Sequence, residues 1–186
     1  MINLEKGQRI SMDKGLTLVG VGLGWDPNEG TGYDFDLDAS AFMLGSNGKT
    51  PSDDYFVFYN NQKSPDGSVE STGDDLTGRN SDDGDDETLN VDLTKVSSEI
   101  QQIIFTATIY KAVERRQNFG QVRNSYIRIY DAISNTEIAR YDLDEDFSIE
   151  TAVEFGRLYR HDGAWKFEAI GNGSKGGLQT FVDKYC

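Results

Sequence analysis

From Gly15 to Gly171 the chain is a succession of short apolar runs at strand-like spacing, each closed by turn residues. That pattern leaves few folds open. Gly15 to Gly24 (GLTLVGVGLG) is an apolar strand with glycine at alternate late positions. Asp34 to Leu44 (DFDLDASAFML) alternates at first. Asp34, Asp36, Asp38 and Ser40 fall on one face, Phe35, Leu37, Ala39 and Ala41 on the other. Tyr55 to Tyr59 is a dense aromatic strand, and Thr88 to Leu93 alternates again. Ile103 to Tyr110, Ser125 to Tyr130, Glu137 to Leu143, Thr151 to Arg160 and Trp165 to Gly171 follow. Turns are predicted at Asp66-Gly67, Asn135 and Asp162-Gly163. Helical signal is confined to two short pieces. Thr94 reads as an N-cap for a helical turn to Glu99, and Leu178, Phe181, Val182 and Tyr185 form one face of a closing helix. The expectation is a single domain over residues 1–186, mainly β: a two-sheet β-sandwich with a few short helices, including a C-terminal helix.

A sandwich of this length can bury a real core, so the charge must sit on its loops and outer faces. The net charge is −14, and two segments hold all of it. Residues 26–38 carry five acids and no base; residues 53–87 carry eleven acids against Lys63 and Arg79. The remainder is neutral overall, although Lys111 to Arg128 has five bases and one acid. A chain this acidic is a poor binder of nucleic acid or of anionic lipid. The start lacks the apolar core of a signal peptide, and the longest apolar run is too short to span a bilayer. The single Cys186 forms no intrachain disulfide. These features favour a cytoplasmic protein without membrane insertion.

Clustered acids repel one another, and a divalent cation reverses that repulsion. Ca2+ takes six to eight oxygens from carboxylates, amides, backbone and water. The candidate ligands are Asp34, Asp36, Asp38, Asn60, Asn61, Asp74, Asp75, Asp85, Asp86 and Glu87. One histidine and one cysteine make a zinc or copper site a poor fit. An EF-hand is rejected: Asp34, Asp36 and Asp38 suit its first five positions, but Ala39 and Gly45 stand where Gly and Glu are required. Gly171 to Gly176 matches GxGxxG, but the chain ends too soon afterwards for a dinucleotide fold. No catalytic constellation emerges, since there is no GxSxG and His161 lies in a turn. Two other readings use the same acids: a metal-dependent phosphoesterase, and a Ca2+-dependent sugar-binding module with Trp25 as the stacking ring.

A family resemblance runs through the chain in order. It is carried by Gly24-Trp25-Asp26, Asp34 to Phe42, Phe56 to Asn61, Gly73-Asp74-Asp75 to Gly78, Asp85-Asp86-Glu87 and Gln117 to Val122. Together these motifs resemble the TerD family of tellurite-resistance and general-stress proteins. The resemblance implies a β-sandwich that binds Ca2+ through acidic loops, two ions in all, and no enzymatic activity. It also implies a cytoplasmic protein, peripheral at the inner membrane through partners, namely TerB and the membrane protein TerC. One departure is that the family's Gly-Asp-Asn reads Gly73-Asp74-Asp75 here, which adds charge.

Overall fold

The computed structural model describes residues 2–72, 84–143 and 147–186. The strands are β1 (Ile2–Asn3), β2 (Arg9–Ser11), β3 (Leu18–Gly24), β4 (Leu37–Leu44), β5 (Phe56–Val57), β6 (Val69–Ser71), β7 (Glu87–Asp92), β8 (Gln102–Ile109), β9 (Tyr126–Asp131), β10 (Thr136–Asp142), β11 (Ala152–His161) and β12 (Ala164–Ser174). Two α-helices accompany them, α1 (Ala112–Arg115) and α2 (Leu178–Tyr185). Among the described residues the strands form two six-stranded sheets, ordered β1-β10-β9-β3-β7-β6 and β2-β12-β11-β8-β4-β5. The expected mainly β sandwich with a closing helix is what the chain adopts.

Alternation builds the core. Leu37, Ala39, Ala41 and Met43 of β4 face inward with Ile103, Phe105, Ala107 and Ile109 of β8. Val19, Val21 and Leu23 of β3, with Leu89 and Val91 of β7, meet them from the other sheet. Burying each of the Leu, Ile, Val, Phe and Met side chains contributes about 1.5–3 kcal/mol, and each Ala less. The outer face of the second sheet is also covered. There Phe42, Leu44, Phe56, Ile104 and Ala152 pack against Phe181 and Tyr185 of α2. Phe42 and Phe56 stack at 4.3 Å.

The outer face of β3 is a trough. A Cβ on Gly20 would lie 2.1 Å from the Tyr130 ring, and one on Gly22 would lie 2.2 Å from the Asp85 carboxylate. The alternating glycines therefore let side chains from β9 and from the segment just before β7 lie flat across β3. Gly20→Ala is expected to cost about 1–3 kcal/mol by overpacking. Urea unfolding will measure it, and an unchanged midpoint would mean that Tyr130 relocates freely.

Two local expectations need correction, and one rejection holds. The helix from Thr94 to Glu99 is absent. Instead the Asp92 Oδ1 accepts from the Thr94 N–H at 3.0 Å and its hydroxyl at 2.6 Å, closing a turn that competes with a helix. Of Tyr55 to Tyr59 only Phe56 and Val57 pair with β4, because a 3-10 turn (Asp53–Tyr55) precedes them and a tight turn (Phe58 to Asn61) follows. The GxGxxG segment is the end of a strand. Asn172, Gly173 and Ser174 pair with Glu154, Val153 and Ala152, in keeping with the rejection of a dinucleotide loop there.

Candidate metal centre

Register carries the first acidic segment to one end of the sandwich. Asp38 on β4 is opposite Thr108 on β8, which is opposite Ala152 on β11. The start of β7, at Glu87, pairs with Leu23 at the end of β3. The loop joining β3 to β4 crosses this end, and hydrogen bonds fix it at each step. The Asp26 N–H donates to Arg123 O at 2.9 Å, and Asn124 Nδ2 donates to the Asp26 carboxylate at 2.6 Å. The Trp25 indole N–H donates to Phe35 O at 3.0 Å, and the Tyr110 N–H donates to Asp36 O at 2.8 Å.

Three carboxylates at this end are nine-tenths buried: Asp36 at 6%, Asp38 at 5% and Glu87 at 6% exposure. Asp38 of β4, and Asp36 just before the strand, alternate with the core residues Leu37 and Ala39. Glu87 comes from the other sheet. Its Oε2 accepts the Ala39 N–H at 2.7 Å, which ties the two sheets together one residue from Asp38. Asp34 is partly exposed at the start of the segment. Asp38 also lines a recess of about 190 Å3 with Tyr59, Thr108, Thr151 and Leu178. A second recess of about 510 Å3 lies under the β3–β4 loop, lined by Asp26, Glu29, Phe35 and Arg123.

The other candidates have different surroundings. The Asp86 Oδ2 accepts the Trp25 N–H at 2.9 Å. Asp85 accepts from Arg128 Nε at 2.8 and 2.9 Å and from the Tyr126 hydroxyl at 3.2 Å. Burial, then the Asp85 carboxylate, pushes the Tyr126 phenol up to about 12. The same carboxylate raises Arg128 and keeps it charged. Asn61 holds its own turn, with Nδ2 donating to Phe56 O at 2.7 Å and Asp54 O at 3.0 Å; Asn60 is exposed at the tip. Asp74 and Asp75 lie outside the described residues.

The basic segment belongs to this end as well. Arg115 lies over the rings of Tyr33 and Tyr110, at 5.1 and 5.6 Å. Gln117 Nε2 donates to the carbonyls of Tyr33 and Asp34 at 2.9 and 3.2 Å. Residues 111–124 thus flank the acidic loop rather than forming a separate basic face. Sequence reading gave Gln117 no role. Its proximity to Asp34 depends on long-range pairing, which no local pattern encodes.

Every donor group here is an oxygen, the chemistry that suits Ca2+. Gln117 adds a buried amide oxygen, Oε1, with no hydrogen-bond partner among the described residues. Yet no three His, Cys, Asp or Glu side chains among the described residues come together closely enough to hold a metal by themselves. A cation here would need neutral oxygens beside the carboxylates.

The tryptophan expected to stack on a sugar does not do so. Trp25 is 4% exposed and packs in the core, so the sugar-binding reading loses the residue that motivated it. His161 is exposed 3.2 Å from Asp162, at the far end of β11 from Ala152. A strand of that length puts it roughly 30 Å from the acidic end. Among the described residues no helix is long and apolar enough to cross a membrane.

Comparison with known proteins settles the lineage. The TerD domain family model matches residues 1–185. The chain belongs to the TerD family. It is 52% identical to the tellurium resistance protein TerD of Serratia marcescens, over 99% of this chain and 96% of that one. It is 50% identical to general stress protein 16U of Bacillus subtilis, over 99% and 96% of the two chains. A solved homologue of the telluride resistance protein, SCO6318 from Streptomyces coelicolor A3(2), shares the fold. Its TM-score is 0.76, with 22% identity over 90% of this chain and 96% of that chain.

Proposed function

We propose that this TerD-family chain is a calcium-binding module that serves in resistance to tellurium and other stress, acting as a scaffold or sensor and not as a catalyst. The observation that carries the reading is that Asp36, Asp38 and Glu87, which belong to the acidic segments, are each nine-tenths buried near one end of the sandwich, so a cation there would draw on neutral oxygens as well. Burying ionised carboxylates is costly unless positive charge compensates them. A bound Ca2+ is one source of such charge, and Asp34, Asp36, Asp38 and Glu87 are the carboxylates proposed to hold it. The fold prepares these groups: β4 sets Asp38 in place, and the Ala39 N–H fixes Glu87. The resemblance supports two ions, a cytoplasmic location and partners among other resistance proteins, TerB and the membrane protein TerC.

Thermal unfolding tests the reading, because a ligand bound only by the folded state stabilises it. At about 100 times the Kd, Ca2+ contributes about 2.7 kcal/mol. For a chain of this size that raises the melting midpoint by roughly 5–10 °C. Asp36→Ala or Glu87→Ala is expected to remove most of the rise. A melting curve unmoved by millimolar Ca2+ would sink the proposal.

A further inference from the structure

Gln117 carries an inference that neither the family match nor the acidic pattern contains. It follows α1, with its N–H donating to Ala112 O at 2.8 Å, and it is 6% exposed. Its Nε2 donates to Tyr33 O at 2.9 Å and Asp34 O at 3.2 Å. Those two carbonyls fix the amide orientation, since an oxygen in that position would face two other acceptors. The opposite atom, Oε1, is buried with no hydrogen-bond partner among the described residues. A buried acceptor left so costs about 1–3 kcal/mol, and native interiors seldom keep one without a water or an ion.

Its surroundings favour the ion. The amide oxygen and nitrogen are about 2.2 Å apart, which places Oε1 within about 5.5 Å of both carbonyl oxygens. It therefore lies at the root of the Asp34-Phe35-Asp36-Leu37-Asp38 segment. A neutral amide oxygen adds coordination without adding repulsion, and Ca2+ accepts such ligands readily.

We infer that Gln117 is a ligand of the cation through Oε1, while its Nε2 clamps the acidic loop at Tyr33 and Asp34. The inference rests on the calcium reading above. Gln117 thereby ties the basic segment 111–124 to the ion, so occupancy orders that segment together with the acidic loop.

Calcium titration of protein labelled with 13C and 15N at glutamine tests it. The Gln117 side-chain carbonyl and amide signals are expected to shift in step with Ca2+ binding. Gln117→Met is expected to weaken Ca2+ binding roughly 10–100-fold. If wild type binds Ca2+, Gln117→Met binds it equally tightly and the Gln117 signals stay still, a buried water holds the oxygen and this inference alone falls. If Gln117→Met weakens binding while the wild-type Gln117 carbonyl signal stays still on adding Ca2+, the residue acts only through its Nε2 clamp and the ligand role is overturned. If wild type binds no Ca2+, the calcium reading falls and takes this inference with it. Should Gln117→Met fail to fold, the wild-type signals decide by themselves.

Discussion

Asp85→Ala is expected to lower the unfolding free energy by about 3 kcal/mol, near the lower end of the range for breaking a buried ion pair, while leaving the response to calcium in place. The side chain of Asp85 is 5% exposed and that of Arg128 is 19%. Both Asp85 oxygens accept from Arg128 Nε, and the carboxylate occupies the space that a side chain on Gly22 would fill. Removing it strands a guanidinium that stays charged in a site with little water. Two contacts soften the loss: Arg128 lies over the Tyr130 ring at 4.2 Å, and Glu137 is 3.9 Å from its NH1. Asp85→Ala combined with Arg128→Met is expected to cost less than the sum of the single changes, because removing both charges leaves neither unpaired. Urea unfolding of the four proteins measures the coupling. A stable Asp85→Ala that no longer responds to Ca2+ would make Asp85 a cation ligand and the ion pair secondary.

The second large effect is expected at Glu154, on the outer face of the second sheet. This carboxylate is 2% exposed and accepts from the Tyr185 hydroxyl at 2.6 Å and from Lys184 Nζ at 2.8 Å. Burial, then Glu154, pushes the Tyr185 phenol well up, so it stays a donor. Both contacts fasten the last turn of α2 onto the sheet. Hydrogen bonds to a charged acceptor contribute about 1.5–3 kcal/mol each. Lys184 is half exposed, so its share is discounted. Glu154→Ala is expected to cost about 3 kcal/mol in total, and to raise amide exchange throughout residues 178–185. Glu154→Gln keeps an acceptor and is expected to lose less. Unchanged exchange in Glu154→Ala would show that Phe181, Tyr185 and the Phe42–Phe56 stack hold the helix alone.

Much of this was readable from local pattern. Strict alternation predicted that Phe35, Leu37, Ala39 and Ala41 enter the core while the intervening acids face away, and those four residues are buried there. The spacing of Leu178, Phe181, Val182 and Tyr185 located α2. Close backbone packing was the natural reading of Gly20 and Gly22, though only the structure shows that Tyr130 and Asp85 fill the space. What failed to show was set by distant partners or by competition. Thr94 has a capping side chain, but Asp92 captures it for a turn. Trp25 borders a charged loop, yet its indole N–H finds Phe35 O inside. Asp85, Asp86 and Glu87 are adjacent acids with three destinations: Arg128, the Trp25 backbone and the Ala39 backbone. Composition gives all three the same charge. Their separate environments arise from where β7 begins relative to β3 and β4.

The same separation refines the candidate site. Asp85 is engaged by a cation of the chain's own, and Asp86 and Asn61 hold backbone in place. Among the described candidates Asp36, Asp38 and Glu87 are nine-tenths buried, and Gln117 offers a buried neutral oxygen beside Asp34; these are the groups on which the calcium proposal rests. Calorimetric titration of the calcium-free chain with Ca2+ tests this most directly. The account predicts saturable heat with two ions bound per chain, and a clear loss of affinity in Asp36→Ala. Heat that never saturates through millimolar Ca2+ would contradict it.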